Sequence, residues 1–205
     1  MTSVTARLVA VMVALGAALF LSSCTDPTGS SSDGQTDRQH SDEPVVTGPP
    51  AGYNADDVAF ATNMVPHHQQ AIDLAALVPD SSTNPELTKL ASAIADAQGP
   101  EIETMKVFLV QWNENPDTDT GSGHGGHGSM QGMVDEATMA RLASLNGTEF
   151  DNLWLESMIG HHQGAIEMAK AEIANGENVD AKGLANNIVN TQLAEIGEMK
   201  QMLGG

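Results

Sequence analysis

Apolar residues recur every three or four positions along four stretches of this chain, a spacing that belongs to amphipathic helices and not to alternating strands. The first stretch starts near Asn54 and stops before Pro79, with Phe60, Met64, Ala71 and Ala75 on one stripe. The second opens at Asn84-Pro85-Glu86, a cap followed by proline in the first turn, and extends to about Trp112. The third runs from Thr148 to Gly176, read as a C-terminal glycine cap, and the fourth from about Asn178 to Leu203. A shorter helix is predicted over Asp135 to Leu145. Four long amphipathic helices in two hairpins predict an all-α four-helix bundle. Scarce aromatics and an apolar content of Ala, Leu, Ile, Val and Met suit close helix packing better than a sheet.

The two hairpins are copies of one another. FATNMVPHHQQAIDLA, from Phe60 to Ala75, returns as WLESMIGHHQGAIEMA from Trp154 to Ala169. One offset of 94 residues links Met64 to Met158, His67 to His161, His68 to His162, Gln98 to Gln192, Glu101 to Glu195 and Met105 to Met199. Residues 57 to 106 and 151 to 200 share 17 identities in 50 without a gap, so the halves 54 to 112 and 148 to 203 are an internal duplication joined by a linker at 113 to 147.

The doubled pattern of an aromatic, MxxHHxxAI(D/E)(L/M)A and then QxxEIxxMK resembles that of the bacterial DUF305 family, named for a domain of unknown function, over about residues 54 to 203. The resemblance implies a ferritin-like bundle and, in some members, a link to copper handling.

Ahead of the domain, residues 1 to 24 carry one basic residue, Arg7, an apolar run from Leu8 to Leu21 and the ending Leu-Ser-Ser-Cys. The run is too short to span a bilayer and reads as a secretory signal whose ending resembles a lipobox, with Cys24 as the lipid-modified residue. This predicts an exported protein, anchored by lipid to the outer face of the membrane or held in the periplasm. Cys24 is the sole cysteine, which excludes an internal disulfide and any thiolate ligand in the domain. Residues 25 to 53, rich in Ser, Asp, Thr, Gly and Pro, read as a disordered tether to the domain at 54 to 205. The formal charge of −19, from 27 acidic against 8 basic residues, argues against nucleic acid and anionic lipid surfaces as partners.

Charge leaves the chemistry of the core open, and helical geometry narrows it. At about 100° per residue, His67 and His68 flank the apolar stripe through Met64 on either side, while Gln98, Glu101 and Met105 lie on or beside the stripe of the partner helix. The second copy repeats this with Met158, His161, His162, Gln192, Glu195 and Met199. Buried polar groups at these positions need hydrogen bonds or a metal. Imidazole with thioether suits Cu(I), whereas imidazole with carboxylate suits iron, manganese or zinc. An exported, thiol-free, methionine-rich chain favours copper, in storage, delivery or resistance. Two other readings stand beside it. The histidines can bond Glu and Gln across the helix pair as a metal-free network. A ferritin-like di-metal redox enzyme is the third, although the GluxxHis motif of those enzymes is absent. Asp57 and Asp151 read as helix-start carboxylates. His124, His127, Met130 and Met133, in a Gly-rich stretch, form a loose auxiliary metal-capturing segment separate from the core.

Overall fold

The computed structural model describes residues 52–114 and 130–204. The lipobox cysteine, the tether up to residue 51 and two linker histidines, His124 and His127, lie outside the described residues. All regular structure among the described residues is helical: α1 (Ala55–Ala76), α2 (Val78–Ser81), α3 (Pro85–Gln111), α4 (Glu136–Leu142), α5 (Thr148–Asn175) and α6 (Val179–Gly204). The expected four-helix bundle is present as two hairpins, α1 with α3 and α5 with α6, with the single turn α2 added where Pro79 ends the first long helix and sits in the opening turn of the next. The short helix is narrower than its expected span of Asp135 to Leu145, because Asp135 is its cap, accepting from Thr138 N at 2.8 Å, and the chain turns away after Leu142.

Capping explains where the long helices begin. Asn54 accepts from the backbone N–H groups of Asp56 and Asp57, and Asp57 returns a carboxylate oxygen to Asn54 N at 2.6 Å, closing a capping box. Asn84 accepts from Glu86 N and Leu87 N, and its repeat counterpart Asn178 accepts from Asp180 N and Ala181 N, so the second helix of each hairpin starts in the same way. The first helices differ. Thr148 is not the counterpart cap of Asn54; it is already helical, and Gly147, at φ 61°, precedes it without a side-chain bond. Asp151 accordingly has no capping partner, and its Oδ1 is unpaired.

The hairpins meet through antiparallel α1 and α5. Asn54 Nδ2 donates to Asn175 O at 2.9 Å at one end, and Trp154 Nε1 donates to Leu74 O at 2.8 Å at the other. Two apolar clusters fill the bundle on either side of this crossing. One holds Ala71, Leu74, Leu87, Phe150, Trp154, Met158 and Met199; the other holds Phe60, Met64, Met105, Leu109, Ala165 and Ala169. Contact between α3 and α6, the other side of the bundle, is sparse. No helix among the described residues is long and apolar enough to cross a membrane.

Asp57 also fastens the far hairpin, accepting from Glu177 N at 3.1 Å and Asn178 N at 2.9 Å in the α5–α6 turn. Beside it lies Glu172, 1 % exposed, whose two carboxyl oxygens have no donor. Burial, and then the facing Asp57, push the Glu172 carboxyl up to about 8, so at neutral pH it is a neutral acid able to give its proton to Asp57. Asp57 moves the other way, below its ordinary range, because the three backbone N–H bonds outweigh its burial. Gly176 does cap α5, but in extended backbone (φ −62°, ψ 156°) and not the left-handed region, with the folded-back Glu172 carboxyl lying where a Cβ would be.

Candidate metal centre

The crossing of α1 and α5 carries the histidines. His67, His68, His161 and His162 are all fully buried, and the His67 and His161 rings lie 3.8 Å apart, centre to centre. The inward angles expected from helical periodicity are thus present for all four. Proline or glycine precedes each pair: Pro66 removes one backbone donor inside α1, and Gly160 lowers the intrinsic helix preference inside α5.

Three of the four rings use Nε2 and leave Nδ1 without a partner. His68 Nε2 donates to Glu101 Oε2 at 2.8 Å, and His162 Nε2 donates to Glu195 Oε2 at 2.7 Å. His67 Nε2 donates to the backbone carbonyl of Gln131 at 3.3 Å. His161, which approaches the His67 carbonyl without reaching bonding geometry, has neither ring nitrogen paired. The side chains of Gln98 and Gln192, also buried, leave further amide atoms unpaired. Burial, reinforced by the neighbouring His68, lowers His67 to about 4; burial and then His67 push His161 well below the ordinary imidazole range. Both rings are therefore neutral at physiological pH, the form that ligates metals.

Glu101 and Glu195 keep 18 % and 11 % of their side-chain surface exposed, which makes the sparse α3–α6 side the solvent-facing edge of the cluster. Their carboxylates face histidine rings, in the position of groups that orient ligands. The four thioethers of the repeat separate pairwise: Met64 and Met105 share one apolar cluster, Met158 and Met199 the other, so they bracket the histidine level from both sides. Among the described residues no three His, Cys, Asp or Glu side chains converge on one point. The arrangement is a buried set of imidazoles with unpaired nitrogens, flanked by thioethers in the two apolar clusters and by two carboxylates at its edge.

Met130 and Met133 are found elsewhere than expected. They close a turn, Met133 N to Met130 O at 3.1 Å, and the segment that follows is strapped onto the bundle: Gln70 Nε2 donates to Val134 O and Val134 N donates to Gln70 Oε1, both at 2.8 Å. Gly132, at φ 87°, packs against the α5 backbone at Gly160 and Gly164, where a Cβ on either Gly132 or Gly164 would collide. The signal was in the repeat. Within the central HHQxAI of the motif the two copies differ only at Gln70 against Gly164, and the strap uses both residues.

Paired copies of one helical hairpin, meeting at a doubled His-His turn, define the class: a duplicated four-helix bundle with a buried histidine crossing. The chain belongs to the DUF305 family, a domain of unknown function, whose profile matches residues 57–203. Its structure is similar to a DUF305 protein of Streptomyces coelicolor assigned as secreted, at 32 % identity and TM-score 0.63, over 73 % of this chain and 91 % of that one. It is similar to a DUF305 fragment of Deinococcus radiodurans at 33 % identity and TM-score 0.65, over 76 % and 99 % of the two chains. Cu(I)-bound CopM matches at 34 % identity and TM-score 0.60, over 71 % and 94 %. CopM structures with Cu(II) and with silver match as well. No match is found among curated protein sequences.

Proposed function

We propose that this is an exported copper-binding protein that holds Cu(I) at the α1–α5 crossing and serves in storage, delivery or resistance. The carrying observation is the sealed group of imidazoles in which five ring nitrogens are unpaired, because a buried polar atom without a partner destabilises by about 1–3 kcal/mol. A metal at the crossing removes that penalty. His67, His68, His161 and His162 are the nitrogen ligands, offered through Nδ1 where Nε2 is already a donor. Met64 and Met158 are the adjacent thioethers, with Met105 and Met199 behind them. Glu101 and Glu195 orient His68 and His162 and stand at the solvent-facing edge. The thioethers tilt this donor set toward Cu(I), since imidazole alone also suits iron or zinc and manganese favours oxygen. The copper and silver complexes of CopM, and the assigned secretion of the Streptomyces relative, support the same reading. Export and anchoring rest on the Leu-Ser-Ser-Cys24 ending.

The His68–Glu101 and His162–Glu195 pairs favour a second reading, a metal-free network that fixes helix register. Competition against a colorimetric Cu(I) chelator separates them. The His67→Ala/His161→Ala protein is expected to lose at least a hundredfold in affinity, about 2.7 kcal/mol. Unchanged affinity with a lowered melting temperature would leave the network reading.

A further inference from the structure

The two ends of the α1–α5 crossing are not chemical copies. By the 94-residue offset Glu172 stands where the first copy has Val78, and both are buried, so apolar packing serves at that register in the other hairpin. Asp57 likewise corresponds to Asp151, but the two carboxylates differ in use. Asp57 accepts three backbone N–H groups from two segments: Asn54 N, where the chain enters the domain, and Glu177 N and Asn178 N in the α5–α6 turn. Asn178 in turn reaches back to Gly52 O through Nδ2 at 3.3 Å. A buried carboxyl group thus replaces a valine at the place where it meets the carboxylate that joins the chain's entry to the far hairpin.

Two carboxyl groups in contact out of water cannot both be charged. Asp57 is the ionised member, because its backbone partners are all donors, and Glu172 holds the proton. The surrounding charges give the pair little relief. Asp56 on α1 adds to the repulsion, and Lys182 on α6 opposes it with an Nζ already donating to Gly176 O at 3.0 Å. Glu177 in the turn and Asp180 in the first turn of α6 are further acids, both exposed.

We propose that Glu172 and Asp57 form a one-proton latch that fastens the α5–α6 turn and the chain's entry to α1, and that loss of the proton opens this end of the bundle locally. Glu172 lies in the last turn of α5, so it can follow the turn into water without disturbing the rest of the helix. Once the turn leaves Asp57, the ties remaining there are neutral bonds, such as Asn54 Nδ2 to Asn175 O. His67 lies ten residues along α1 from Asp57, about 15 Å away, and the far end of the crossing keeps the Trp154 bond to Leu74 O. The opening therefore spares the histidines. Its direction follows from the raised value of Glu172: the latch is complete below 4.5 and is lost as pH rises through about 8.

The test is native-state amide hydrogen exchange of the full chain, metal-free, between about pH 5 and pH 8 and corrected for the intrinsic exchange rate. Protection at the Glu177 and Asn178 amides is expected to fall at least tenfold over this range, level off above about 8 and depend little on urea, as local opening does. Amides of α1 and α5 beside the histidines are expected to exchange only through global unfolding. Glu172→Gln keeps the shape and offers Asp57 an N–H at every pH, so the fall at the turn is expected to vanish. In the unaltered chain the Glu172 carboxyl carbon and the Asn178 amide are expected to titrate with one midpoint, a measurement that decides the matter if the glutamine variant does not fold. A fall that survives Glu172→Gln, two different midpoints, or turn amides with the same urea dependence as those of the crossing would each overturn the latch.

Discussion

The first helices of the two hairpins are copies by sequence and unlike in their surroundings, whereas the second helices are copies in both. Asn84 and Asn178 cap α3 and α6 alike, and Glu101 and Glu195 take the same histidine nitrogen at nearly the same distance. In α1 and α5 the shared histidines and methionines are retained, but Asn54 faces Thr148, Phe60 faces Trp154, and Gln70 faces Gly164. At these three positions one copy touches something with no duplicate: the turn of the opposite hairpin, the crossing itself, or the linker strap. Duplication thus maintained the polar chemistry in pairs and let the packing around it become specific to each side.

The comparison is broken most severely at Trp154. Trp154→Ala is expected to destabilise the protein by about 3–5 kcal/mol in urea unfolding. Trp154→Phe, which makes the copies alike, is expected to forfeit only the indole bond to Leu74 O, about 1 kcal/mol. The paired carboxylates come next. Glu101→Gln and Glu195→Gln should each weaken Cu(I) binding about tenfold, the effect of losing a group that orients a metal-bound histidine, and chelator competition should find the two alike. A loss in one variant alone would show that the halves are unequal at the histidines as well as at the strap. Smaller again, Asn84→Ala and Asn178→Ala should each lower stability by about 1 kcal/mol, equally if the caps are as interchangeable as their bonds.

The pH dependence of the metal-free protein sharpens the contrast between its two buried polar regions. The folded-state values of His67 and His161 are depressed, so their contribution is complete above their ordinary value of 6.5 and is lost as pH falls, for His67 through about 4. Glu172 has the opposite sign. Its folded value is raised, so its contribution is complete below 4.5 and is lost as pH rises through about 8. Beyond Asp57, the charges acting on it are Lys182, which opposes the shift, and Asp56, which adds to it. Urea midpoints measured across pH should therefore pass through a maximum, and Glu172→Gln should flatten the alkaline flank and steepen the acid one above about pH 4.5.

Helical periodicity and the repeat made the bundle legible, because the same angles that bury Met64 bury the histidines beside it. Asn84-Pro85 announced its cap, and the fourth helix begins beside Asn178, where the repeat placed it and where the structure adds the cap. Thr148 opens α5 where the repeat register placed it, but the capping box that Asn54 builds is not repeated there, and Gly147 precedes it at φ 61° without a side-chain bond. The Asp57–Glu172 contact and the docking of Met130–Val134 were not legible, since each joins residues far apart in sequence through tertiary packing. Only the Gln70 and Gly164 mismatch pointed to the strap, and its meaning depended on knowing what filled the space above it.

The strap also bears on how many chains make one bundle. Because α1 and α5 present related faces, a hairpin could pair as readily with the equivalent hairpin of a second molecule, the exchange known as domain swapping. Gln70 ties the linker back to the hairpin it has just left, and Gly164 receives it on the hairpin it is about to enter. That double attachment rewards closure within a single chain, so a protein assembled from nearly interchangeable parts has a built-in preference for its own second half.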